Sequence, residues 1–177
     1  MADADMLDGL LDRETIRALI QAEPPLIEGA VDLATQLQPN GVDLTLREVE
    51  RFASGGLADF SNESRVISQT RAAPFDAAGH VELAPGPYLV TFNEIVNLPL
   101  DLAALGRTRS TLLRCGVALH TAVWDAGYSG RSQSLMTVYN PEGFTLHRNA
   151  RIMQIVFLRL ERAAAQGYAG RYQGENR

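Results

Sequence analysis

The stretch CGVALHTAVWDAGYSGRSQSLMTVYN (115–140) decides the fold. Its first part, CGVALHTAVW (115–124), is a short apolar run of strand character. A second such run, SLMTVYN (134–140), follows. Between them DAGYSG carries the Gly, Ser and Asp that mark a turn. One carboxylate, Asp125, stands where the first run breaks.

Working outward, the same grammar repeats. RIMQIVFLRL (151–160) reads as another strand, with NPEG (140–143) a tight turn before it. GVDLTL (41–46) alternates, with Val42, Leu44 and Leu46 on one side and Asp43 and Thr45 on the other. HVELAPGPYLVTF (80–92) is two strand-like runs around Pro-Gly-Pro. Residues 53–80 are polar, glycine-containing and weakly periodic, which predicts loops with one short strand. LDRETIRALIQAEPP (11–25) reads as a short helix: Asp12 caps it, Ile16, Leu19 and Ile20 share a face, and Pro24-Pro25 ends it. The sum predicts a mainly all-β chain, a distorted β-barrel of jelly-roll type. A short N-terminal helix lies within residues 1–30, and a helical turn near 108–114. No repeat or linker divides residues 1–177, so a single domain is expected, with residues 163–177 as a mobile tail.

The chain has 177 residues, 46% of them apolar, enough to build one core. No apolar run approaches the ~20 residues that span a bilayer, so no membrane is expected. The acidic start, MADADMLDGL, lacks the basic opening of a signal peptide. Cys115 is the single cysteine, which fits a reducing cytoplasm. The net charge of −5 is uneven: residues 1–100 hold 6 Arg and 16 acids, residues 101–177 hold 10 Arg and 5 acids, and there is no lysine. Arginine forks match phosphate geometry, so the second half points to an anion site. No dense basic tract interleaved with aromatics appears, so nucleic acid is not an expected partner. P-loop, dinucleotide-fold, nucleophile-elbow, HExxH and zinc-deaminase signatures are all missing from the sequence.

Several residues remain as carriers of chemistry. Arg109, Ser110 and Arg114 gather two cations and a hydroxyl, with Thr111 adding another, a set suited to phosphate oxygens or to an exposed helical turn. Asp125 is either a base that takes a proton from water or a turn residue bonding the amides of Ala126 and Gly127. Asp43 leaves the core face if the alternation holds. Arg151 and Gln154, three apart, would lie on opposite faces of a regular strand.

QPNGVDLTL (38–46), RSTLLRCG (109–116), AVWDAGYSGR (122–131), NARIMQIVF (149–157) and GRYQGE (170–175), in this order and spacing, resemble the dUTPase and dCTP deaminase superfamily, most closely its archaeal-type dUTPases. The resemblance implies dUTP hydrolysis to dUMP and pyrophosphate with Mg2+. Asp125 would be the general base, Tyr128 the ring under the deoxyribose, and Arg109, Ser110, Thr111, Arg114 and Gln154 substrate contacts. Arg171, Tyr172 and Gln173 would close over the triphosphate. Asp43 would approach the metal only through water, no residue would ligate it directly, and a homotrimer would place sites between subunits. Uracil would be read by the backbone of strand 117–124. The relatives that deaminate dCTP carry a glutamate on the strand after the turn. Here that strand, RSQSLMTVYN (131–140), offers Leu135 or Thr137 at the position. Hydrolysis is therefore favoured over deamination or a bifunctional enzyme, with a non-catalytic nucleotide binder as a further alternative.

Overall fold

The computed structural model describes residues 9–177; the acidic start, residues 1–8, lies outside the described residues. In chain order the elements are α1 (Arg13–Ile20), β1 (Ile27–Glu28), α2 (Leu33–Gln36), β2 (Leu37–Gln38), β3 (Gly41–Phe52), β4 (Thr70–Ala72), β5 (His80–Leu83), β6 (Gly86–Phe92), β7 (Ile95–Asn97), β8 (Leu102–Thr108), α3 (Ser110–Arg114), β9 (Val117–His120), β10 (Ser129–Gly130), β11 (Gln133–Val138), β12 (Phe144–His147) and β13 (Arg151–Arg159). The mainly-β expectation holds.

An eight-stranded antiparallel sheet runs β8-β13-β3-β6-β11-β9, with β2 and β4 also paired to β3. Its two ends approach each other. The Thr108 hydroxyl accepts from the Leu119 amide at 2.8 Å and donates to the Leu119 carbonyl at 3.2 Å. One side chain thereby bridges β8 and β9 and brings the sheet close to a barrel. Two small sheets, β1-β7-β10 and β5-β12, complete the strands. β5 and β6 flank the Pro-Gly segment but pair with different partners, β12 and β3.

The core side of β3 is Val42, Leu44 and Leu46, all fully buried with Phe92, Met153, Ile155 and Phe157. Side chains of this size contribute roughly 1.5–3 kcal/mol each on burial. α1 packs Ile16 into the core, and the Asp12 carboxylate accepts from the Thr15 amide at 2.9 Å, the expected cap.

Two readings of the strands need correction. The alternation in β3 is real, yet Asp43 and Thr45 are as buried as their neighbours. The segment 32–38 folds over that face: the Gln36 Nε2 donates to the Asp43 carbonyl at 2.8 Å and to Glu94 at 2.7 Å. Arg151 and Gln154, expected on opposite faces, lie on one. Gln154 is registered against Asp43 and Arg151 against Thr45, because β13 shifts register between Arg151 and Met153. A bulge adds one residue and so resets the period of two.

Candidate active site

The turn that follows the first quoted run is built by backbone. Trp124 makes two bonds to Ala104, of 3.0 and 3.1 Å, which fixes the entry to the turn. The Asp125 carbonyl accepts from the Tyr128 amide at 3.1 Å, and Gly127 takes φ +81°. The Gly127 amide is used by the Leu98 carbonyl at 3.1 Å. The Asp125 carboxylate therefore has no part in the turn: it is exposed and, among the described residues, has no hydrogen-bond partner. Of its two readings, the turn-bonding one is not what the geometry shows.

Asp125 opens on a cavity of about 830 Å³. Trp124, Tyr128, Ser132 and Gln133 form one wall, and Leu57, Val66 and Ile67 of the loop after β3 form the other. The β9 strand stops at His120, shorter than the expected 117–124, and Ala122 and Val123 line the cavity outside any ladder.

Tyr128 is 5% exposed, its ring edge-on to Tyr168 at 5.8 Å. Its hydroxyl donates to Glu175 Oε1 at 2.8 Å. Burial, then the Glu175 carboxylate, push the Tyr128 hydroxyl far above its ordinary value. Burial raises Glu175 too, offset in part by the Tyr128 bond. The tail, 163–177, runs along this turn. The Tyr168 amide donates to the Ala126 carbonyl at 2.8 Å and the Gly174 amide to the Ser129 carbonyl at 2.7 Å. Gln173 accepts from the Ser129 amide at 3.0 Å and donates to the Gly127 carbonyl at 2.9 Å. Tyr172 lines the cavity, while Arg171 is exposed and does not line it.

The arginine set lies elsewhere on the same chain. Arg109 is the residue before α3, whose Ser110, Thr111 and Arg114 are exposed, with Leu112 anchoring the turn in the core. Arg109 Nε forms an ion pair with Asp43 Oδ2 at 2.9 Å, and Arg151 Nη1 donates a hydrogen bond to the same oxygen at 3.2 Å. Burial pushes the Asp43 carboxyl above its ordinary value, and the two guanidiniums counteract this. Gln154 shares the face and is registered against Arg107 as well. Ala104 touches Trp124, whereas Arg109 is five residues further on, just past the end of β8. At about 3.3 Å per residue that is on the order of 16 Å away.

Sequence reasoning missed Glu175, Gln133 and the apolar loop wall. Glu175 sits inside the quoted GRYQGE, but nothing local shows that it folds back on Tyr128. Among the described residues no group of three or more His, Cys, Asp or Glu could hold a metal ion. No described helix is long and apolar enough to cross a membrane.

A family model described as dCTP deaminase-like matches residues 10–160. The chain is 51% identical over 167 residues to a probable deoxyuridine 5'-triphosphate nucleotidohydrolase of Methanosarcina mazei, covering 94% of this chain and 98% of that one. It is 36% identical over 140 residues to the deoxyuridine 5'-triphosphate nucleotidohydrolase of Methanocaldococcus jannaschii, covering 78% and 88%. Among solved structures, 2'-deoxycytidine 5'-triphosphate deaminase of Agrobacterium tumefaciens matches with TM-score 0.64 at 22% identity. That match covers 86% of this chain and about half, 48%, of the other; it bears on the fold alone.

Proposed function

The chain belongs to the dCTP deaminase-like family, and on that footing we propose that it is a dUTP diphosphatase, cleaving dUTP to dUMP and pyrophosphate. The relatives named for this activity support it over nearly the whole chain. The observation that carries the reading is the Asp125 carboxylate, held by a backbone turn at the mouth of the cavity with both oxygens free. A free carboxylate accepts a proton from water. The hydroxide so formed attacks the α-phosphorus, the bond to the bridging oxygen breaks, and pyrophosphate leaves. Tyr128, packed against Tyr168 and bonded to Glu175, lies under the deoxyribose. Ala122 and Val123, outside any ladder, are where backbone groups read uracil. Gln173 holds the tail across the turn, Tyr172 lines the cavity, and Arg171 beside it contacts the phosphates when the nucleotide is bound.

Magnesium fits this site as a cation carried by the substrate. Triphosphate oxygens and waters supply a hard divalent ion with most of its ligands, and the exposed, unpaired Asp125 carboxylate would hold one of its waters; Asp43, expected to approach the metal through water, is instead buried and paired with Arg109 and Arg151. When bound, the ion neutralises charge on the phosphate chain.

The separation of Arg109 from Asp125 along β8 supports a site shared between copies, as in a homotrimer. Arg109, Ser110, Thr111 and Arg114 of one copy then hold the phosphates over Asp125 of another. The lone free thiol, Cys115, suits a cytoplasmic setting.

One observation favours a second reading. The outer positions of β11, Gln133, Leu135 and Thr137, offer no acid, but Glu175 lines the same cavity. A carboxyl there could shuttle protons for deamination of dCTP. Incubation with dUTP or dCTP and magnesium, following pyrophosphate and ammonia, separates them. Pyrophosphate from dUTP without ammonia from dCTP is expected. Ammonia that disappears in Glu175→Gln would establish the second reading, and tight dUTP binding without either product a non-catalytic binder.

A further inference from the structure

One carboxylate needs one cation, and Asp43 has two. Its Oδ2 takes Arg109 at 2.9 Å and Arg151 at 3.2 Å. The Asp43 side chain is 3% exposed, while the arginines keep 28% and 33%. The remaining contacts are to backbone: Arg109 Nη1 donates to the Arg151 carbonyl at 3.2 Å, and Arg151 Nη1 to the Thr35 carbonyl at 3.0 Å. Each guanidinium has five N–H groups in a fixed fork. Among the described residues, Arg109 Nη2 and Arg151 Nε and Nη2 have no partner. Arg151 is thus held at Nη1 with its Nε–Nη2 edge free, and Arg109 is held at Nε and Nη1 with Nη2 free, which lowers the conformational cost of gripping an anion.

The bulge in β13 makes this possible. Without it Arg151 would point into the core side, away from Asp43. Arg107 is exposed on the same face, so the patch carries three arginines around one buried acid.

We propose that Arg151 is a further phosphate-binding residue, gripping the terminal phosphoryl groups of the nucleotide beside Arg109, and that Asp43 is the positioning residue that fixes both forks. This rests on the dUTP diphosphatase reading for the identity of the nucleotide, but the anion site stands on the arginines themselves.

The test uses the full chain with magnesium. Inorganic pyrophosphate is titrated calorimetrically into wild type, Arg151→Met and Arg151→Lys, and KM and kcat for dUTP are measured on the same samples. Arg151→Met keeps the aliphatic stem, and melting temperatures and elution volumes check fold and assembly. Loss of a charge-assisted contact weakens pyrophosphate binding by about tenfold or more and raises KM for dUTP in step, with kcat changed by less than about threefold; Arg151→Lys recovers part of the loss. A folded Arg151→Met that binds pyrophosphate within about twofold of wild type overturns the proposal, and a change of oligomeric state at unchanged affinity would assign Arg151 to an interface instead. Wild type that binds pyrophosphate through Arg151 yet releases none from dUTP sinks the diphosphatase reading and leaves this inference standing.

Discussion

Glu94 is fully buried, and it accepts from Gln36 Nε2, from the Thr45 amide and from the Thr45 hydroxyl at 2.7, 2.8 and 2.6 Å. Burial pushes its carboxyl above the ordinary value of 4.5, and these bonds only partly offset that. The folded protein thus holds the Glu94 proton more tightly than the unfolded chain does. Its contribution to stability is fully present below the ordinary glutamate range and is lost as pH rises through the folded value. Melting temperature should therefore fall more steeply over that rise in wild type than in Glu94→Gln; equal slopes in the two proteins would show that Glu94 does not titrate this way. At this scale the sequence reveals types but not surroundings. Asp43 and Asp125 each follow an apolar residue, yet one is sealed between two arginines and the other is free in the cavity mouth. For Asp43 the difference comes from segment 32–38 folding back over it and from Arg109 and β13, which are distant in the chain.

The strands were legible as elements because period-two alternation is local. GVDLTL lies in β3, SLMTV in β11 and RIMQIVFLR in β13. The bulge was not, since an extra residue in β13 is defined only against its partner β3. α2 also escaped notice; it is four residues long and depends on the Asp32 carboxylate accepting from Ala34 at 3.1 Å and Thr35 at 3.4 Å. The turn after Trp124 was read from DAGYSG, but its contact with the tail was not. Gly127 is where that contact is tightest: a Cβ there would lie 2.6 Å from the Gly167 Cα, and φ is +81°. Gly127→Ala should cost about 1 kcal/mol or more from backbone strain and lift the tail from the turn. Limited proteolysis would read this as faster cleavage within 163–177, and unchanged cleavage would mean the tail is held without this contact.

Across the whole molecule the pairing is non-local: β13 joins β3 and β8, and β11 joins β6 and β9. Local patterns could identify the class, while strand order needed the structure. The molecule also separates the two halves of the proposed site, arginines at one end of β8 and Asp125 beside the other. This has a direct consequence for mixtures. Arg114→Ala and Asp125→Asn should each be inactive, but co-assembled in equal amounts they should regain about one quarter of wild-type activity, since random assortment rebuilds that share of two-chain sites. A site contained in one chain would recover nothing. The most direct test of the account is turnover of saturating dUTP with magnesium by Asp125→Asn, measured beside its affinity for dUTP. The account expects kcat to fall by roughly 10²–10⁴-fold, the contribution of a general base, with affinity held within about tenfold. Turnover like that of wild type, or rate and binding lost in equal measure, would contradict it.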